Sequence, residues 1–558
     1  MAGRRTLTQF ALLALAAATT ACGAARARKV NDLAVLEADR QVLEGCFKCL
    51  DSARATYERL AREKHVTDKA GVVVRSFETN VLLALRAKEL NFDPQPAVAR
   101  AREVVPRVPA VLEPNRVLEI VDAVLPDNNG LSYAAETSLQ RRRVDYVAKI
   151  DSELTWLEQT RYSPAVRKYV GLAIDCSYFD RKKTPGDTTD VRDMRRQVPV
   201  NAPPLTAYRA ALCGKGDSLA LRRVLLAAPN FNEAAYQLAD QLWFTAGETG
   251  GDNLRRLFEP AYKEFPRSPG VTFAYGQLFS VVSDCENAIR LFDETIAIEA
   301  AHDRALMQKM ICQSNLHLDS AAIVTATEFI ALNTPSVAQG YYWRASSRLR
   351  RRELDLARAD IETAKSMARG GEILTLAGVI EHEQNDLGIA ESDLKGARAV
   401  FRGSENCTAA FYLGSVQNKR QGHGEAAAAF DSAMVCYEDR INLTLGQIDR
   451  VKASTKGSAA FRAKRLAALE TDLADRRKRY YASAFNAASM TAKIGNLTRS
   501  AELLAIADGG SELAEQISKL RAEITRVTAE QAASTNAKRP PPKKAAVADT
   551  LNKPSSPR

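Results

Sequence analysis

The sequence predicts an all-α protein built as a stacked array of helical hairpins. Three observations predict it. Apolar residues recur at three- and four-residue spacing along most of the 558-residue chain. No stretch shows sustained period-two alternation, so almost no sheet is expected. Small residues return every 33 to 36 positions from residue 220 onward, the mark of a repeat architecture.

Bulk composition agrees. Apolar residues make up 46% and charged residues 26% of the chain, ordinary values for a globular protein. The length allows two or more cores. The formal charge is +11, but Lys and Arg are interspersed with Asp and Glu along the helices. That is a solvated surface rather than a phosphate-binding stripe, and no nucleic-acid partner is expected. After residue 21 no run reaches the ~18 apolar residues of a membrane-spanning helix.

The opening residues are read separately. Arg4-Arg5, an apolar core from Phe10 to Ala18, and Thr19-Thr20-Ala21 follow the plan of a secretory signal peptide. Thr19-Thr20-Ala21-Cys22 resembles a bacterial lipobox, with Thr19 where Leu or Val is usual. The resemblance implies a signal peptide at 1–21, lipidation of the Cys22 thiol with diacylglyceryl and palmitoyl chains, and cleavage that leaves Cys22 as the N-terminus. Gly23 stands where an Asp would favour inner-membrane retention. The implied address is the outer membrane, facing the periplasm. Ordinary secretion with cleavage after Ala25-Arg26-Ala27 is the rival. A buried core helix fits poorly, because the segment has no second, polar face.

Residues 22–181 read as an N-terminal helical domain. Its segments include LEADRQVLEGCFKCLDSARATYERLA and GVVVRSFETNVLLALRAKEL, with PDNNG at 126–130 as a loop. Residues 182–204 are polar and Pro-containing, a linker. Residues 205–437 carry about seven repeats. An irregular helical insertion, 438–479, precedes further repeat-like helices at 480–530. The composition of 531–558 cannot bury a core, and the tail is expected to be disordered.

The repeat register rests on seven anchors: Ala220, Leu254, Ala288, Ala322, Ala357, Ala390 and Ala426. Four residues after each stand Val224, Phe258, Phe292, Ala326, Ile361, Leu394 and Phe430. Seven after stand Ala227, Ala261, Thr295, Phe329, Ala364, Ala397 and Ala433. Twelve before the last five stand Gly276, Met310, Ala345, Gly378 and Gly414. Positions four and seven after an anchor share its helix face. Small residues mark where two helices cross closely, and a large residue fills the gap. Met310 and Phe329 break the size pattern, so that hairpin is expected to be skewed.

This pattern resembles the tetratricopeptide repeat. YGQLFSVVSDCENAIRLFDETIAI (275–298) and YLGSVQNKRQGHGEAAAAFDSAMVCY (412–437) are the best copies. The resemblance implies a superhelix whose first helices line a concave, protein-binding groove. By register the groove residues are Phe273, Gln277, Met307, Asn315, Tyr342, Arg350, Phe411, Asn418 and Lys419. The family's Lys/Asn clamp for acidic tails is not reproduced.

Chemistry is sparse. His65, His302, His317, His382 and His423 show no metal-ligand spacing, and HExxH and GxSxG are absent. No metal, cofactor or catalytic set is expected. Cys46-Phe47-Lys48-Cys49 lies inside a helical pattern, with no strand before it and no following His, so it reads as structural. An exported chain with eight cysteines besides Cys22 points to disulfides. Register brings helix ends together at Cys407–Cys436 and Cys285–Cys312, with Cys176–Cys213 across the linker as a further pair.

The expected function is therefore a lipid-anchored periplasmic scaffold that holds a protein or peptide segment, in envelope assembly or secretion. An activator or adaptor of a cell-wall enzyme is the alternative. An enzyme on a helical superhelix, such as a lytic transglycosylase, is a third reading that needs an added catalytic domain.

Overall fold

The computed structural model is a succession of helices in the order the apolar spacing of the chain predicts. The structure describes residues 3–124, 149–177, 199, 201–213, 218–246, 251–400, 407–454 and 459–537. Among these residues there are only helices and turns, and no helix is long and apolar enough to cross a membrane. Two compact units are present. The first comprises 1–364 with 448–468, the second 365–447 with 469–558.

The first unit opens with α1 (Gly3–Glu44), α2 (Phe47–Leu60), α3 (Lys69–Glu89), α4 (Gln95–Val104), α5 (Pro114–Ala123), α6 (Ile150–Gln159) and α7 (Pro164–Ser177). They share one core around Leu50, Ala53, Tyr57, Phe77, Val81, Tyr169 and Val170. The α1 backbone is helical on both sides of Cys22. It stops at Gly45, whose φ of +76° an L side chain rarely adopts and whose Cβ would meet Leu205. Cys46 therefore caps α2 rather than lying inside a helix, which corrects the sequence expectation. A fully buried ion network ties these helices together. Arg86 pairs with Glu89 and, at 2.7 Å, with Glu233, while Arg209 and the Tyr169 hydroxyl both donate to Glu89, at 2.9 and 2.6 Å.

The hairpins follow: α8 (Pro204–Ala211) and α9 (Ser218–Ala227), α10 (Asn232–Ala246) and α11 (Gly251–Glu264), α12 (Pro269–Val281) and α13 (Cys285–Ile298), α14 (Asp303–Asn315) and α15 (Asp319–Ala331), α16 (Val337–Arg350) and α17 (Leu354–Met367). The second unit continues with α18 (Gly371–Glu383) and α19 (Leu387–Val400), then α20 (Cys407–Lys419) and α21 (His423–Ala453). It ends with α22 (Ala459–Lys493), α23 (Leu497–Ala507) and α24 (Ala514–Ala537).

The anchors sit where the repeat logic needs them. Ala288, Ala322, Ala357, Ala390 and Ala426 are fully buried, as are the residues four and seven positions on. At the crossings the small residue of one helix touches the large one of the next: a Cβ on Gly276 would lie 2.8 Å from the Phe292 ring, and one on Gly378 would lie 2.5 Å from Leu394. Burying each large side chain contributes ~1.5–3 kcal/mol. The hairpin with Met310 balances its volume, since Met310 stands opposite Ala326 in the register and Gly340 makes room for Phe329. The first repeat keeps Val224 buried as expected and departs from the register on either side of it. Leu221 is buried where Ala220 was expected, and Ala227 is exposed.

Five of the hairpins turn through a left-handed residue: Ser283, His317, Arg352, Asn385 and Gln421, each five residues before its anchor. The amide after the left-handed residue then donates back to the helix, as Leu318 does to the Gln313 carbonyl at 2.9 Å. Gly495 repeats the turn, so Ser500 is the anchor of an eighth hairpin, and its hydroxyl donates to the Ala488 carbonyl at 2.8 Å.

The insertion expected at 438–479 is regular. It prolongs α21 and α22, whose residues 448–468 belong to the first unit. There Lys464 Nζ lies 2.6 Å from Asp284 Oδ2, and Arg465 donates to Ser283 Oγ at 3.2 Å. Helix α24 runs to Ala537, seven residues into the expected tail. Its Ala-rich sequence favours helix. The rest of the tail, the loop at 126–130 and most of the 182–204 linker lie outside the described residues.

Candidate functional site

In the first unit the groove expectation splits. Gln277, Met307 and Tyr342 are half-buried on α12, α14 and α16, and Asn315 is exposed at the end of α14. Phe273 does not belong with them. It is 4% exposed, packed 5.9 Å from Phe292 and 4.9 Å from His302. The reason is His302, which caps α14 by accepting the Ala305 amide at 3.1 Å and is itself buried over Phe273. Arg350 is held within its own hairpins, 2.6 Å from Asp319 and donating to Ser314 Oγ at 2.7 Å.

In the second unit Phe411 is half-buried and packs edge-on to Phe430, 5.5 Å away, so it supports the core. Asn418 accepts from Lys493 at 3.3 Å, and Lys419 donates to the His382 carbonyl at 3.1 Å. Of the nine predicted groove residues only Phe273 is buried; Gln277, Met307, Tyr342, Phe411 and Asn418 are half-buried, and Asn315, Arg350 and Lys419 are exposed.

A larger feature in the first unit escaped the sequence. A cavity of about 1100 Å³ opens between α1, α3, α7 and the 199–206 segment. Val42, Leu43, Val74, Val111 and Leu112 form its apolar walls, with Pro109, Pro164, Pro199 and Pro203. Its floor is polar. The Tyr57 hydroxyl donates to Asp39 at 2.6 Å, and Arg75 Nε lies 3.0 Å from the same carboxylate. Burial and the Asp39 carboxylate push the Tyr57 phenol well above its ordinary value. Glu78 is buried and accepts the Ser163 amide at 2.6 Å, and burial raises its carboxyl. Arg161 and Lys168 line the same cavity. The signal in sequence would have been Glu78 among the largely apolar buried residues of α3, where a carboxyl needs polar partners.

The cysteines pair as follows. Cys46 joins Cys49, Cys176 joins Cys213 and Cys407 joins Cys436, with Cα separations of 5.0, 5.0 and 5.3 Å. Cys285 and Cys312 remain thiols, against the expected bond. Both are buried within one apolar cluster. Hydrogen bonding to Cys312 and burial hold the Cys285 thiol far above its ordinary value, and Cys312 lies 3.6 Å from Ser280 Oγ. The side chain of Cys22 lies outside the described residues.

No family model matches the sequence, and no curated protein does. Among solved structures the chain is similar to a tetratricopeptide repeat protein from Parabacteroides merdae ATCC 43184, at 11% identity over 48% of this chain and 93% of that one, TM-score 0.33. It is also similar to the Cut9–Hcn1 hetero-tetramer of APC/C, at 13% identity over 83% and 89%, TM-score 0.32. A third is YrrB, titled a TPR protein with an unusual peptide-binding site, at 14% identity over 32% and 91%, TM-score 0.28. At such scores the fold rests on this chain's own hairpins, an all-α array of tetratricopeptide type.

Proposed function

We propose that this protein is a lipid-anchored scaffold of the bacterial envelope, facing the periplasm, which holds a segment of another protein during envelope assembly or secretion. One observation carries the binding part of the reading, the cavity of the first unit. At about 1100 Å³ it exceeds the 300–1,000 Å³ typical of small-molecule sites. Its proline-rich, aliphatic walls suit the side chains of an extended peptide. The carboxylates of Asp39 and Glu78 and the cations Arg75, Arg161 and Lys168 offer partners to peptide charges and amides. Gln277, Met307 and Tyr342 form a second contact surface on the hairpins. The lipobox-like Thr19–Cys22 supports the anchor, and the three disulfides suit an oxidising compartment.

A photo-crosslinking residue at Val111, 77% exposed at the cavity mouth, tests the binding reading in cells. A polypeptide adduct identified by mass spectrometry is expected. Recovery of uncrosslinked protein alone, at positions around the whole mouth, overturns it. For the anchor, Cys22→Ala should move the protein from the detergent to the aqueous phase. A wild-type protein that is already aqueous, with Arg28 at its N-terminus, would refute lipidation.

A further inference from the structure

The Cys46–Cys49 bond is poorly suited to hold the fold together. It closes a ring of four residues, so it constrains the unfolded chain far less than Cys407–Cys436, whose cysteines are 29 apart. Both cysteines are also already fixed by the first turn of α2.

Its surroundings suit a different task. Cys46 is the N-cap of a 14-residue helix, and its Sγ accepts the Cys49 amide at 3.1 Å. A thiolate at Cys46 would gain that donor and the positive end of the helix. The two sulfurs are not equivalent. Cys46 is 7% exposed, in an apolar cluster with Tyr208 and Leu221, whereas Cys49 is half-buried. Solvent therefore reaches Cys49 first. Glu44 Oε2 stands 3.6 Å from Cys49 Sγ, where it can take up a thiol proton. The residues between the sulfurs are pinned independently of the bond. The Phe47 amide donates to Glu233 at 2.6 Å, and Glu233 is held by buried Arg86. Reduction would thus leave the frame in place. Lys48 lies exposed beside the pair.

We propose that Cys46–Cys49 is a thiol–disulfide exchange site, which oxidises protein dithiols and is itself recharged by a low-molecular-weight disulfide. In the first step a substrate thiolate attacks Cys49 Sγ. A substrate–Cys49 bond forms, the Cys46–Cys49 bond breaks, and its electron pair leaves on Cys46 as a thiolate. The second substrate thiolate then attacks the substrate sulfur of the mixed disulfide and releases Cys49. The substrate gains a disulfide, the protein gains two electrons, and the two substrate protons end on Cys46 and Cys49, the latter by way of Glu44. Oxidised glutathione restores the bond by the reverse exchange and leaves as two reduced molecules. The inference does not depend on the lipid anchor or on the cavity.

The test uses the full chain. In glutathione buffers of rising reducing strength, with alkylation and peptide mass spectrometry, Cys46–Cys49 should open while Cys407–Cys436 stays bonded. With oxidised glutathione present, the protein should also speed disulfide formation in a reduced two-cysteine peptide by about tenfold over the Cys46→Ala/Cys49→Ala variant. Cys46→Ala should accumulate glutathione on Cys49, and Cys49→Ala should leave Cys46 unmodified. Circular dichroism confirms that the variants are folded. If they are not, the wild-type glutathione series decides. Resistance of Cys46–Cys49 equal to that of Cys407–Cys436, or a peptide rate unchanged by the double variant, overturns the proposal.

Discussion

Gly414 on α20 lies against the face of Phe430 on α21, so close that a methyl group on Gly414 would sit 2.8 Å from the ring. Phe430 is buried and has no open side to retreat to. Gly414→Ala should therefore destabilise the second unit by ~1–3 kcal/mol through overpacking. Adding Phe430→Leu should recover part of the loss. Denaturant unfolding of the two variants measures both, and an unchanged midpoint for Gly414→Ala would show that the helices slide apart without cost.

The left-handed turns can be improved. His317 is exposed, with φ of 55°, a conformation that costs an L residue ~1–2 kcal/mol and glycine almost nothing. His317→Gly should raise stability by ~0.5–1 kcal/mol after the entropy cost of glycine in the unfolded chain. His317→Val should lower it. Thermal melts of both decide, and the two variants must move in opposite directions.

Two aromatic residues that occupy the same register position should part company. Phe411→Ala should lower stability by ~1–3 kcal/mol, because its ring packs on Phe430. Tyr342→Ala should leave the melt nearly unchanged and weaken partner binding by ~1–2 kcal/mol. Binding is measured with whichever polypeptide the crosslink captures. Equal thermal losses in both would make Tyr342 a packing residue too.

Acid should loosen the second unit. Burial, then the Lys419 ammonium, hold the His382 imidazole below its ordinary 6.5. The unfolded chain therefore binds this proton more readily than the folded one. Its contribution is complete above pH 6.5 and is lost as pH falls through the depressed folded value. His382→Gln should flatten the decline that sets in as pH falls below 6.5. A decline of the same slope in the variant would assign it to other groups.

What the sequence made legible follows from the physics of each position. A small residue at a helix crossing is forced by contact distance, so Ala288, Ala357 and Gly414 could be read without coordinates. The turns could not, because Ser283, His317, Arg352, Asn385 and Gln421 share a backbone angle and no side-chain chemistry. Only their constant offset from the anchors signals them. Phe273 failed as a groove residue because its fate depends on His302, 29 positions away. The cavity was hidden for a similar reason. Asp39, Arg75, Glu78 and Ser163 meet only after α1, α3 and α7 have packed. The helix break before Cys46 was available in Gly45, a common helix stop that the surrounding periodicity masked.

Most contacts in this chain join neighbours along it, as in any hairpin array, but Lys464 reaches Asp284 across 180 residues. During synthesis the turn at 283–284 leaves the ribosome long before its clasp exists. At ~5–20 residues per second the wait is about ten to forty seconds. In that interval the early hairpins can assemble in chain order, each on its predecessor, with the Asp284 carboxylate still open to solvent. The clasp is then a late event that reports completion of the preceding hairpins, and a chain truncated before residue 464 would stack its repeats without it.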